Sequence, residues 1–329
     1  MQLQTLVDLP TDLPEVTHRR PILLMGSCFA EHIGRRLEEY KFRVERNPYG
    51  ILYNPLSMAQ ALDELRLGVA YDASRLFFHN DLWHSAMHHG SFSHPTAEET
   101  LQAIGGRQNS AREVLESSPL LMLTLGTAHV YERVDTGQVV GNCHRLPARC
   151  FGRRLISVSE ATERLAATLE PLLSKNPDMQ VLMTVSPIRH VGDGLHANQL
   201  SKSTLLLAVE ALTHAFPGRI GYFPAYELLM DELRDYRFYA DDLVHPSALA
   251  VEWVWSKFVE ACMSPDTRVV LKELDGLKAD LGHRPFRPQG DAYRAFVHQI
   301  LLNIERLQRK YPTFDFQNEI DQCHTRLMS

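Results

Sequence analysis

The sequence predicts an α/β fold, a three-layer α/β/α sandwich with a parallel sheet at its centre, and three observations carry that expectation. Unbroken apolar runs, Ile22-Leu-Leu-Met25, Leu120-Leu-Met-Leu-Thr-Leu125 and Val181-Leu-Met-Thr-Val185, read as short strands buried on both faces. Segments with apolar residues at helical spacing separate these runs, so strands and helices alternate along the chain. Polar residues gather directly after the runs, at Gly26-Ser27-Cys28, Gly126-Thr127 and Ser186-Pro-Ile-Arg-His190. That is where an open parallel sheet places its site, beyond the carboxyl ends of its strands.

The first strand follows Pro21 and is cut off by Gly26, and Ala30, Ile33 and Leu37 then recur at helical spacing. This is strand, tight turn, helix, with Ser27 and Cys28 where one becomes the other. Free N–H groups in the first turn of a helix can hold an oxyanion or lower a thiol pKa, as nucleophilic catalysis requires. Asn47-Pro-Tyr-Gly-Ile-Leu-Tyr-Asn-Pro55 is dense in turn formers and reads as a loop over the carboxyl end of the sheet, ending where Ser57 can cap a helix that reaches Leu67. The stretch Arg75 to His94 holds five of the 16 histidines (79, 84, 88, 89 and 94) and reads as an insertion lining the mouth of the site, with His88 or His89 against substrate. His84 and His88, four apart, would share a metal on a helix; the glycine and serines that follow, and the lack of a glutamate beside the first histidine, argue against a metal site.

Thr96 to Ile104 and Ser110 to Ser117 read as helical, before the clearest strand at 120–125. Val130 to Val134, a turn at Asp135-Thr-Gly137 and Gln138 to Val140 form a predicted hairpin that delivers Asn142-Cys143-His144 to the next loop. Ser157 or Ser159 caps a helix whose stripe is Ala161, Leu165, Leu169 and Leu172 or Leu173. After the strand at 181–185, a helix over about 198–216 and a strand at 220–223 lead to Tyr239-Ala-Asp-Asp-Leu-Val-His-Pro246 and a helix through Cys262. Pro246 marks the first turn of that helix. Beyond Pro265, Arg268 to Leu281 and Ala292 to Arg309 are charged amphipathic helices without strands, separated by 282–290. The expected division is a main domain over 1–264 and a helical extension over 265–329, packed on the same chain or serving a homo-oligomer.

The composition is that of a soluble globular protein, 44% hydrophobic and 22% charged, and a formal charge of −6 with no long basic run argues against nucleic acid as a partner. Five cysteines, an odd number without close pairing, suit reduced thiols in a cytoplasm better than a disulfide framework. The N-terminus lacks a basic segment followed by an apolar core, and no apolar run approaches 18 residues, so neither export nor a membrane anchor is expected.

Asp242 and His245 are three apart at a helix entrance, where an imidazole base and a carboxylate that orients it can sit on one loop. Together with a nucleophile after the first strand, this pattern resembles the SGNH (GDSL-like) hydrolase superfamily, whose first block is Gly-Asp-Ser and whose last is Asp-x-x-His. The string Gly26-Ser-Cys-Phe-Ala30 is closer still to the GSCFA domain family, grouped with those hydrolases. Asn47 to Pro55, Leu125-Gly-Thr-Ala-His-Val-Tyr131, Asn142-Cys-His144 and Val185-Ser-Pro-Ile-Arg-His190 also resemble that family. The resemblance covers roughly residues 15 to 262.

The resemblance implies an SGNH/flavodoxin-like sheet and an ester hydrolase or acyl transferase working through a covalent acyl-enzyme, without a cofactor, on a small-molecule or carbohydrate ester. Laid over the first block without a gap, Cys28 falls on the nucleophilic serine; a one-residue shift would present Ser27 instead. His245 is the base and Asp242 its orienter, while Gly50 is the second-block glycine that contributes to the oxyanion hole. At the place of the family's Gly-x-Asn-Asp the chain has Ala128, so Thr127, Asn142 or His144 must supply the missing donor. Arg189, His190 and His89 complete the expected substrate contacts. Two other classes stay open: a binding domain that kept the fold without the chemistry, and metal-dependent hydrolysis through the histidines of 79–94.

Overall fold

The computed structural model describes residues 5–117, 119–285 and 290–328. Five strands, β1 (Ile22–Gly26), β2 (Val44–Arg46), β5 (Leu120–Leu125), β9 (Gln180–Val185) and β10 (Ile220–Tyr222), form one parallel sheet in the order β10-β9-β5-β1-β2. Counted within the sheet, that order is 2-1-3-4-5, so sheet growth changes direction between β1 and β5, where an open α/β sheet leaves a crevice. The register sets Gly26 beside Thr124 and Leu125 beside Val185, so β1, β5 and β9 end almost level. The polar turns that follow them are thereby brought to one edge.

Strand residues alternate between the two faces. Leu23, Met25, Leu121, Leu123, Val181 and Met183 join a core with Met58, Leu62 and Leu65 of α2 (Pro55–Leu67), Leu165 and Leu169 of α4 (Val158–Lys175), and Leu205, Val209 and Leu212 of α5 (Leu195–Ala215). Leu24, Met122 and Leu182 meet Phe29 and Ile33 of α1 (Cys28–Glu39) and Phe258 of α7 (Ala248–Cys262) on the other. Burial on both faces is why these runs carry no polar alternation.

Several local expectations shift. Asn54, not Ser57, caps α2: its Oδ1 accepts the Ser57 N–H at 2.8 Å, Pro55 opens the helix, and Gly68 closes it in the left-handed conformation. Helix α3 (Ala97–Glu116) runs unbroken through Gly105-Gly106, where two helices were expected. The histidine-rich insertion is a hairpin of β3 (Leu76–His79) and β4 (Leu82–Ser85) turning at Asn80-Asp81, both with positive φ, so His84 and His88 do not share a helix face. The hairpin β6 (His129–Arg133) and β7 (Val139–Val140) gains an unforeseen partner, β8 (Phe151–Leu155), in a sheet ordered β7-β6-β8. A short α6 (Ala225–Glu227) continues as a π-helical turn at Leu228–Glu232, and Ser247 caps α7, leaving Pro246 just outside the helix.

The elements above form one compact unit, residues 1–37 and 42–263; a second unit comprises 38–41 and 264–329. The second is built on α8 (Pro265–Gly282), α9 (Asp291–Lys310) and a further helix that the sequence reading missed, α10 (Gln317–Met328). Leu271, Leu274 and Leu277 of α8, Val297, Ile300, Ile304 and Leu307 of α9, and Phe316 and Cys323 are among its buried apolar residues. Part of the expected separator, 286–289, lies outside the described residues. Among the described residues no helix is long and apolar enough to cross a membrane.

Candidate active site at the carboxyl edge of the sheet

The turn after β1 can be made only with glycine. Gly26 has φ +151°, and a Cβ there would stand 2.4 Å from the Thr124 carbonyl oxygen and 2.7 Å from the Thr124 Cβ. Ser27 follows, 1% exposed, and its hydroxyl oxygen accepts the Phe29 N–H at 3.3 Å, so it caps α1. Cys28 is the first residue of α1, half-buried, with its Sγ 3.6 Å from the Tyr53 hydroxyl. Burial, and then the hydrogen bond to Cys28, push the Tyr53 phenol above its ordinary range. It stays protonated and can donate toward the sulfur.

The loop 47–55 is tied across the ends of β1 and β5. The Asn47 N–H donates to the Leu24 carbonyl at 2.7 Å, its Oδ1 accepts the Gly26 N–H at 2.9 Å, and its Nδ2 donates to Glu31 at 3.1 Å. The Tyr53 carbonyl accepts the N–H groups of Gly126 at 2.7 Å and Thr127 at 3.0 Å. These bonds hold Tyr53 against Cys28. They also occupy the strand-end N–H groups of β5, which are therefore not offered to a ligand.

Asp242 and His245 meet as the spacing implied. His245 Nδ1 is 2.6 Å from Asp242 Oδ2, while Asp242 Oδ1 accepts the N–H groups of Val244 and His245, each at 2.9 Å. Leu243 takes a left-handed conformation (φ +58°) so that one carboxylate oxygen can face both amides. Those backbone bonds, and then the imidazole, hold the Asp242 carboxyl down to about 2. The carboxylate fixes a proton on Nδ1, leaving Nε2 as the acceptor that a general base needs. Both side chains are about half exposed, at 50% and 47%.

A cleft of about 500 Å³ is lined by Ser27, Cys28, Tyr53, Thr127, Asn142, Arg189, His190 and His245, together with Tyr131, Cys143, Arg153 and Ser186. It gathers most of the expected site residues. Thr127 Oγ1 is already engaged with Ser201 Oγ at 3.0 Å and accepts the His129 N–H at 3.1 Å. Asn142 Oδ1 accepts the His144 N–H at 2.8 Å, which leaves its amide N–H groups as what it can offer a ligand. The His190 ring meets Tyr53 edge-on at 5.6 Å; burial, followed by the charges of Lys202 and Arg153, pushes its pKa down to about 4, so it is neutral.

Three expected residues lie elsewhere. Gly50 (φ +76°) donates its N–H to the Asn47 carbonyl at 2.7 Å within the loop's own turn, so it does not serve an oxyanion. His144 is buried, with Nε2 on the Ser85 carbonyl at 2.8 Å and its ring 4.4 Å from His84, and burial pushes its pKa down to about 4. His89 is exposed, and its Nδ1 accepts the Ser91 N–H at 3.2 Å. None of these three lines the cleft.

The histidine insertion lines a different cavity of about 510 Å³, through Arg75, Leu76, Phe77 and Ser85 to Met87. His84 has both ring nitrogens engaged, with Ser93 Oγ at 2.7 Å and the His79 carbonyl at 2.9 Å. Among the described residues no group of three or more His, Cys, Asp or Glu side chains is placed to hold a metal ion.

Sequence reasoning did not foresee Tyr53, although it stands within a quoted motif, nor Lys202. Lys202 is 1% exposed, and its Nζ donates to the carbonyls of Gly126 at 2.6 Å and Ser186 at 2.7 Å, clasping the ends of β5 and β9. Desolvation pushes its pKa down to about 7.

The family model described as GSCFA family matches residues 21–258, and that described as GSCFA domain protein, C-terminal domain, matches residues 274–329. Neither a curated protein nor a solved structure matches the chain.

Proposed function

The chain belongs to the GSCFA family, and from that premise we propose that it is an acyl-transfer enzyme of SGNH type, an ester hydrolase or acyl transferase, with Cys28 as nucleophile. The observation that carries the reading is the Asp242–His245 pair, oriented at 2.6 Å, with its histidine lining the same cleft as a half-buried thiol at a helix N-terminus. Ser27 is the weaker candidate, because its hydroxyl is buried and serves as the cap of α1.

In this reading His245 Nε2 takes the Cys28 proton as the sulfur attacks an ester carbonyl. The tetrahedral oxyanion accepts hydrogen bonds from the Cys28 N–H, which no preceding helical carbonyl can reach, and from the Asn142 amide and the Tyr53 hydroxyl. The C–O bond breaks, the leaving alkoxide takes its proton from His245, and a thioester remains on Cys28. Water, or a second alcohol, then attacks that thioester with His245 again as base, and the thiol is restored. A sheet of order 2-1-3-4-5 with helices on both faces and its site at the strand ends supports the SGNH placement.

The test is to mix the protein with a short-chain p-nitrophenyl ester, quench, and locate the added acyl mass by peptide mass spectrometry. An acyl group on Cys28, absent in Cys28→Ala and retained in Ser27→Ala, is the expected result. An acyl group on Ser27, or full turnover by Cys28→Ala, would overturn the assignment.

A further inference from the structure

We infer that the cleft takes an ester carrying a negatively charged group, a carboxylate or a phosphate, which pairs with Arg189. This deepens the acyl-transfer reading and rests on it for the identity of the reacting bond. The protein as a whole is acidic, with a formal charge of −6, yet no aspartate or glutamate is among the residues that line the cleft, whereas Arg153, Arg189, His129, His190 and His245 are.

The two arginines differ in one respect. Arg153 is neutralised by an ion pair with Asp193, which also lies 4.0 Å from His129. Arg189 has no carboxylate within 4.0 Å among the described residues. Its Nη2 donates to the Leu243 carbonyl at 2.5 Å, and its guanidinium lies over the rings of Tyr239 at 4.6 Å and Tyr236 at 5.7 Å. Its Nε is buried without a partner. A guanidinium lying over aromatic rings has given up part of its water. A planar cation so fixed, without a carboxylate partner and lining a cleft free of negative lining residues, is a receptor for an oxyanion that comes with the ligand. Asp231 and Asp235 line the adjoining cavity of about 400 Å³ that Arg189 also borders, but Asp235 is paired with Arg237.

The experiment uses two alkylating probes of nearly equal size, neutral iodoacetamide and anionic iodoacetate. The rate at which each modifies Cys28 in the intact chain is measured by mass spectrometry and divided by its rate with free glutathione. The expected result is a corrected preference for iodoacetate of about tenfold or more, the lower end for a charge-assisted hydrogen bond. Arg189→Gln should bring the corrected ratio to within about twofold of unity, and Arg189→Lys should keep part of the preference because it keeps the charge. Protection of Cys28 from iodoacetamide by acetate or by inorganic phosphate then distinguishes a carboxylate from a phosphate ligand. No preference in the unaltered protein, an unchanged ratio in Arg189→Gln, or protection by neither anion would overturn the inference. None of these readouts needs ester turnover. A preference for iodoacetate without any acyl-enzyme would refute the acyl-transfer reading alone, and an acyl-enzyme without the preference would refute the anion site alone.

Discussion

Replacing Lys202 by methionine should change not only the stability of the protein but its dependence on pH. The ammonium is 1% exposed and has no acidic partner among the described residues; its two bonds go to the carbonyls of Gly126 and Ser186, and a neutral amine, with two N–H groups, can make both. Its pKa is lowered from 10.5 to about 7. The unfolded chain therefore binds the proton more tightly than the folded one. Between pH 7 and 10.5 unfolding takes up a proton, and stability rises with pH through that window. At 1.36 kcal/mol per pH unit, the cost of protonating Lys202 in the folded state amounts to about 5 kcal/mol, present in full below pH 7 and gone above 10.5. Methionine fills similar space and carries no charge, but it strands two buried carbonyls at roughly 1–3 kcal/mol each. Lys202→Met should thus be less stable than the parent by roughly 2–6 kcal/mol near pH 10, and that deficit should vanish or reverse near pH 6. The assay is denaturant unfolding of both proteins at each pH; taking their difference cancels the titrating groups that do not feel the Lys202 charge, His190 being one that does. A difference that stays flat from pH 6 to pH 10 would refute the reasoning.

Two further predictions concern the site and its scaffold. Asp242→Asn should keep the loop, because an amide oxygen can still accept the N–H groups of Val244 and His245, while kcat toward the ester falls on the order of 10²–10⁴-fold as the imidazole loses its fixed tautomer; steady-state kinetics beside an unfolding curve checks both, and a loss below tenfold would remove Asp242 from the mechanism. Gly26→Ala should cost on the order of 3 kcal/mol or more, since the new methyl meets the Thr124 backbone at 2.4 Å in a conformation that alanine rarely adopts; an unfolding midpoint equal to the parent's would mean that β1 and β5 end farther apart than described.

The parts of the molecule that were readable beforehand are those set by short-range chemistry. The apolar runs at 22–25, 120–125 and 181–185 mark strands because burial on both faces excludes polar residues, and the three-residue spacing of Asp242 and His245 is itself enough to let one loop join them. What escaped depends on contacts distant in sequence. Nothing local shows that Lys202, in the middle of α5, reaches two strand ends, or that the Tyr53 carbonyl takes up the N–H groups of Gly126 and Thr127. His144 looked like a site residue because it stands beside Asn142, yet a left-handed backbone (φ +47°) accompanies a side chain bound to Ser85 and packed against His84. Helix α10 buries only Cys323 among its own residues, too sparse a stripe for apolar periodicity to announce it.

Ala128 bears on how this site could be redesigned. The residue is wholly buried within the main core, its N–H donates to Ser201 Oγ at 2.7 Å and its carbonyl accepts the Ile156 N–H at 2.9 Å. The chain at this point has turned inward. An asparagine introduced there to restore the amide donor of Gly-x-Asn-Asp enzymes would place its polar group among aliphatic side chains, not beside a reacting carbonyl, and would leave that group without partners at a cost of roughly 1–3 kcal/mol. A catalytic asparagine and the present path of the backbone are thus mutually exclusive. A graft that meant to move this cleft toward that chemistry would have to transplant the whole span from β5 to β6, along with the serine on α5 that now anchors it.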